Sequence, residues 1–211
     1  MKRIRNSKET SEKKIKLEVK EGPTIKVADL GKMSINEIKN GIKDKFPLGK
    51  YFQHYSKEAK KDRELILDAV IKNPEALYYI KPSFYKDDEI MLAAIEQFPK
   101  IVLKEWIPAK LIYPYIPLAI RLKPEIFGKL DLCFRSDEDL ILESINYIRY
   151  SDMIFIPLNL RSKKEFIIKV IPIDPSFINH VDISLKKDRN FILELIEVNI
   201  NVFKFIYDIY S

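Results

Sequence analysis

Side chains able to do chemistry are few in this chain of 211 residues, and they are scattered. The two histidines, His54 and His180, lie in different regions and in no H-x-x-x-H or H-E-x-x-H spacing, so the pattern supports no zinc site. A lone cysteine, Cys133, rules out a disulfide framework and a cysteine-held metal. A reactive thiol needs a nearby His or helix N-terminus to lower its pKa. The apolar setting LDLCFR offers neither, so Cys133 is expected to be a buried structural thiol. His180 is expected at the surface or in a linker. No Gly-rich phosphate loop occurs, and four of the five glycines (Gly22, Gly31, Gly41, Gly49) come before residue 62. The acidic runs Asp87-Asp88-Glu89 and Asp137-Glu138-Asp139 begin helices, where the N-terminal dipole accounts for them. These residues lead to the expectation of a non-enzymatic protein without cofactor or metal.

The elements that must position side chains are more informative. Aligned on DRELILDAVIKNPEAL from residue 62, the chain returns with DDEIMLAAIEQFPKIV from 87 and IYPYIPLAIRLKPEIF from 112. DEDLILESINYIRYSD from 137, KEFIIKVIPIDPSFI from 164 and NFILELIEVNINVF from 190 follow in register. The equivalent apolar residue is Val70, Ile95, Ile120, Ile145, Ile171 and Ile196, at spacings of 25, 25, 25, 26 and 25. Just before it stand Ala69, Ala94, Ala119, Ser144, Val170 and Leu195. Leu65, Ile66, Ala69 and Val70 form one stripe of a 3.6-residue period, and Asn73-Pro74 reads as a cap and first residue of a second, short helix. Asp174-Pro175 repeats that chemistry, and the proline recurs at Pro99 and Pro124, with Arg149 and Ile200 in its place in two units. A polar linker is expected to close each unit. Twenty-five residues cannot hide their own apolar stripe, whereas stacking on the next unit can.

The acidic start, the IL-x-A-V/I helix and the Asn-Pro junction resemble tandem helical repeats known only as a domain of unknown function, frequent in giant DNA viruses and some protists. The resemblance covers residues 62 to about 135; later units keep the register but lose the proline or the alanine. The leucine-rich-repeat variant is similar in period. This likeness implies an α-solenoid and carries no catalytic residue.

The expected fold is therefore all-α: an α-solenoid of about six 25-residue two-helix repeats over residues 62–211, behind an N-terminal basic arm and capping helices. Residues 1–24 are the arm, expected to be flexible, and residues 25–61 a non-repeat helical segment. In that segment TIKVADL is expected to be extended. Ser34-Ile35-Asn36-Glu37 reads as a capping box opening a helix to about Phe46, with Ile35, Ile38, Ile42 and Phe46 on one face. Pro47 and Gly49 stop it, and a further helix includes Tyr51, Phe52 and Tyr55. Charge follows the same division. Residues 1–61 hold 17 Lys+Arg and 8 Asp+Glu, a net +9; the remaining 20 and 23 give −3. No secretory signal or membrane-spanning stretch is apparent, and the location expected is intracellular, in cytoplasm, nucleus or virion.

Three departures from the repeat are the candidate functional features. Trp106 falls where other units have Lys81, Asp131, Ile156, Asp182 and Tyr207, and Glu105 interrupts the apolar series Ile80, Leu130, Phe155, Val181, Ile206. Either a one-residue slip puts Trp106 in the apolar position and turns Glu105 outwards, or Trp106 is an exposed anchor for a partner. In the arm, Lys2, Arg3, Arg5, Lys8, Lys13, Lys14 and Lys16 are suited to phosphate contacts with a nucleic acid, and equally to a solubilising or targeting tail. At the other end Phe203, Phe205, Ile206, Ile209 and Tyr210 cluster without a polar capping element, and an earlier segment or another chain is expected to cover them. The expected role is a protein–protein interaction or scaffold protein, a structural component of a larger viral or cellular assembly, with nucleic-acid binding through the arm as the alternative. No membrane partner is expected.

Overall fold

The computed structural model describes residues 25–210, apart from the side chains of Ile42 and of residues 207–210. The described residues form helices and turns, with no strand among them.

The segment before residue 62 is helical but more broken than its sequence suggests. Val27–Lys32 is a 3-10 helix, not an extended stretch; its Asp29 carboxylate accepts the Lys26 N–H at 3.0 Å, and Leu30 is buried. The capping box forms as expected: the Glu37 carboxylate accepts the Ser34 N–H at 2.8 Å, and Ser34 Oγ accepts the Glu37 N–H at 3.3 Å. The helix it opens is interrupted at Asn40 and Gly41, where Gly41 takes a φ of 126°, the left-handed region open to glycine. Ile38 and Phe46 are nevertheless buried. Pro47 does not only stop this helix; it precedes the helix Leu48–Tyr51, which contains Gly49, and a 3-10 turn Phe52–His54 leads to the buried Tyr55.

From residue 62 onwards six helices occupy equivalent places: α1 (Arg63–Lys72), α2 (Asp88–Gln97), α3 (Ile116–Leu122), α4 (Glu138–Ser144), α5 (Lys164–Val170) and α6 (Arg189–Val198). Each turns its stripe inwards. The Leu65, Ile90, Tyr115, Leu140, Phe166 and Phe191 series is buried, as is the series from Ala69 to Leu195. Four of the six start on an aspartate whose carboxylate accepts backbone N–H groups of the first turn: Asp62, Asp87, Asp137 and Asp188. The acidic starts thus cap directly, beyond any dipole effect.

After each helix the chain makes a 3-10 helix, at Pro74–Tyr79, Pro99–Leu103, Pro124–Lys129, Tyr150–Phe155, Pro175–His180 and Ile200–Val202. Proline presets the first φ, and the Asn73 and Asp174 side chains accept the N–H two residues on, at 3.1 and 2.9 Å. Three residues per turn align positions i and i+3, so Leu77 and Ile80, Phe127 and Leu130, Met153 and Ile156, and Ile178 and Val181 are buried in pairs. This corrects the register of the fourth unit. The extra residue falls between Tyr147 and Arg149, so Tyr150 takes the proline position and Ile156, not Phe155, the buried one.

The closing linker is also more ordered than expected. It contains a third helical piece: Pro82–Lys86, Ala109–Ile112, Leu132–Arg135, Leu158–Arg161 and Ile183–Lys186. Each interval between long helices therefore holds at least two short helical pieces rather than one, and that between α2 and α3 holds a third, Tyr113–Tyr115. Leu132–Arg135 buries Phe134 and leaves Cys133 exposed, which overturns the expectation of a buried thiol. Neighbouring residues on a helix point about 100° apart, and Phe134 already fills the inward place.

Successive units are tied polar to polar as well as apolar to apolar. The residue after one helix cap reaches the cap position of the next: Arg63 to Asp87 at 2.7 Å, Lys164 to Asp188 at 2.7 Å, and Glu138 to Lys163 with the signs exchanged. Arg135 and Arg161 make equivalent clamps. Their Nε donates to the Leu130 and Ile156 carbonyls, and Nη1 donates to those of Phe155 and His180 in the following unit, at 2.8–3.0 Å.

Candidate interaction surface

Around Trp106 the register breaks by two residues, not one. Ile107, 27 residues after Ile80 instead of 25, fills the buried position at 4% exposure. Glu105 points to solvent as expected, but Trp106 is half-buried beside the apolar position and does not occupy it. Its ring lies edge-on to Tyr78, with centroids 5.4 Å apart, and is tilted against Tyr85 at 6.4 Å. Tyr78 in turn meets Tyr79 edge-on at 5.2 Å, and Tyr79 donates its hydroxyl to Gln53 Oε1 at 3.0 Å. Tyr85 is buried with its hydroxyl donating to the Leu77 carbonyl at 3.0 Å, and burial raises its pKa. The two extra residues open a cavity of about 310 Å³ whose walls include Lys104, Glu105, Ile107, Ala109, Lys129 and Asp131.

A second feature is spread over the long helices. Their outward faces carry apolar side chains in register, beyond the stripe that packs the core. Leu122 and Val198, the last residues of α3 and α6, and Tyr147 and Ile173, in the turns just after α4 and α5, are equivalent and all exposed. On the short helices Leu132, Leu158 and Ile183 are equivalent too, each more than half exposed at 60, 54 and 55%. Between α1 and α2 an open groove of about 530 Å³ is lined by Leu67, Ile71, Leu92 and Glu96 among others. One of about 350 Å³ recurs between α3 and α4, lined by Pro117, Leu118, Arg121, Glu143 and Tyr147. Leu67, Leu92 and Pro117 are equivalent positions, as are Ile71, Glu96 and Arg121. The signal for this face is present in the sequence as apolar residues outside the i, i+4, i+5 stripe, but core packing alone gives no reason to single it out.

At the far end Phe203 is 62% exposed, Phe205 is half-buried against the core and Ile206 is buried. Ile209 and Tyr210 belong to the helix Phe203–Tyr210, but their side chains lie outside the described ones. All the arm residues Lys2, Arg3, Arg5, Lys13, Lys14 and Lys16 lie outside the described residues.

Of the two histidines, His54 is exposed, while His180 is partly buried with Nε2 enclosed and without a hydrogen-bond partner among the described residues. It packs edge-on to Tyr150 at 4.6 Å and against Phe177. Burial, and then the charges of Arg161 and Lys186, lower its pKa; Asp174 opposes them. Among the described residues no group of three or more His, Cys, Asp or Glu is placed to hold a metal ion, and no helix is long and apolar enough to cross a membrane.

No curated protein and no solved structure matches the chain. A family model described as a domain of unknown function (DUF4116) matches residues 62–117 and 163–210, so that over these two stretches, which hold α1, α2, α5 and α6, the chain is similar to that family.

Proposed function

We propose that residues 62–211 form an α-solenoid of about six 25-residue units and that the chain is a non-enzymatic scaffold, holding protein partners within a larger viral or cellular assembly. The observation that carries this reading is the recurrence of exposed apolar side chains in register, Leu122, Tyr147, Ile173 and Val198 on one series and Leu132, Leu158 and Ile183 on another. Core packing accounts for a repeat that keeps its buried positions apolar; it does not account for apolar residues at solvent-facing ones. Exposed apolar positions aligned along several units supply an extended contact surface. The family match at both ends of the 62–211 stretch supports placing all six units in one array.

The test is affinity capture by the full chain from extracts of its native source, with and without the changes Leu132→Asp, Leu158→Asp and Ile183→Asp. These side chains are exposed, so the variant should keep its circular dichroism and lose specific partners. A wild-type chain that captures no more than the variant contradicts the scaffold reading.

The alternative reading, nucleic-acid binding through the arm, is supported by the concentration of charge: net +9 in residues 1–61 against −3 in the rest. Binding of a random-sequence duplex that falls steeply with salt and vanishes on changing Lys13, Lys14 and Lys16 to Glu would favour it.

A further inference from the structure

The outward face of the long helices is charged in one sense as well as apolar. From α2 onwards its solvent-facing positions hold seven carboxylates, Glu89, Glu96, Asp139, Glu143, Glu165, Glu194 and Glu197; among the described residues Glu89 pairs with Arg63 and the other six have no ion pair. The same positions hold two cations, Arg121 and Lys169, so this surface has a net charge of −5 (two minus seven). Interleaved with the carboxylates are the exposed Leu92, Leu122, Tyr147 and Leu193. The grooves between α1 and α2 and between α3 and α4 are built from equivalent positions, the first mainly apolar and the second mixed, with Pro117, Leu118 and Tyr147 beside Arg121 and Glu143; two helix spacings of about 8–10 Å separate them. An α-helix advances about 10.5 Å in seven residues.

We infer that this face binds a cationic amphipathic helix of a protein partner, with apolar side chains recurring about every seven residues and Lys or Arg flanking them. Apolar residues of that helix about two heptads apart enter the α1/α2 and α3/α4 grooves, and its cations meet the unpaired carboxylates. The net negative charge argues against an anionic membrane or a nucleic acid on this same face. The inference rests on the scaffold reading and names the partner class for one of the two apolar series.

The experiment is an anisotropy titration of the full chain against a labelled peptide of about three heptads, with Leu at the a and d positions and Lys and Ala elsewhere. A peptide with Glu in place of Lys is the control. The Lys peptide should bind saturably and the Glu peptide should not. Changing Glu96, Glu143 and Glu194 to Lys should weaken binding at least about tenfold, and Leu122→Ser with Tyr147→Ser should do likewise, each variant keeping its circular dichroism. Equal binding of both peptides, or binding indifferent to both sets of changes, overturns the inference. So does a dimer by light scattering that the charge reversal dissolves, which gives the face to a second copy. Binding seen only after Lys13, Lys14 and Lys16 are changed to Glu overturns it as well, giving the face to the chain's own basic segment. If the peptide fails while capture through Leu132, Leu158 and Ile183 persists, only this inference falls; if both fail, the scaffold reading falls with it.

Discussion

Ser144 stands where the three preceding units have Ala69, Ala94 and Ala119, and all four side chains are fully buried. Its hydroxyl has no hydrogen-bond partner among the described residues, so it bears a desolvation cost that alanine would not. Ser144→Ala should be neutral or stabilising by about 1 kcal/mol in urea denaturation, whereas Ala94→Ser should destabilise by about 1–3 kcal/mol. A clear loss of stability in the first variant would mean that the hydroxyl is satisfied after all. His180 makes a pH-dependent prediction. Its pKa is held below the usual 6.5 by burial first and then by Arg161 and Lys186. The unfolded chain therefore takes up the proton before the native one does. This contribution to stability is full above pH 6.5 and is lost as the pH falls through the native pKa. His180→Phe should flatten that part of the denaturation midpoint's pH profile, and an unchanged profile would show that the imidazole is not responsible.

At the scale of elements, close approach matters more than propensity. A Cβ on Gly49 would lie 2.8 Å from Lys72 Cβ and 3.1 Å from its carbonyl carbon, so the helix Leu48–Tyr51 packs against the end of α1 only because that position has no side chain. Asn73 ties the same junction by donating its amide to the Gly49 carbonyl at 2.6 Å. Gly49→Ala should cost about 1–3 kcal/mol, read as a lower denaturant midpoint, while Gly31→Ala, whose new Cβ would meet nothing closer than 3.5 Å, should cost less. The buried positions of the long helices are legible in the sequence, because a 3.6-residue apolar stripe that returns in register every 25 residues marks one helix face packed on the next. Short pieces are not legible in the same way. A run of four residues such as Leu132–Arg135 is too brief for periodicity to separate helix from linker, and so Cys133 is read as buried when it is exposed. The two-residue offset before Ile107 is invisible to a fixed-period alignment, since the next helix returns to register. Of the candidate surface, Trp106 and Phe203 stand out in the sequence because they break the repeat or end it. The outward series on the long and short helices does not, because its residues look like ordinary members of a repeat.

For the whole molecule, the ties between units are neighbour to neighbour: Arg63 to Asp87, Glu138 to Lys163, Lys164 to Asp188, Arg135 to the Phe155 carbonyl and Arg161 to that of His180. Exposed ion pairs are screened by solvent and add little, so the helices are held together chiefly by the buried series from α1 to α6. The proposed solenoid would share stability locally, its surface repeating because its support repeats. Hydrogen exchange of the full chain carrying Ile120→Ala, a fully buried position in α3, tests that claim most directly. A stack of units predicts lost protection in α3 and its neighbours α2 and α4, with the amides of α6 exchanging at their wild-type rates. A uniform loss of protection from α1 to α6 would contradict it.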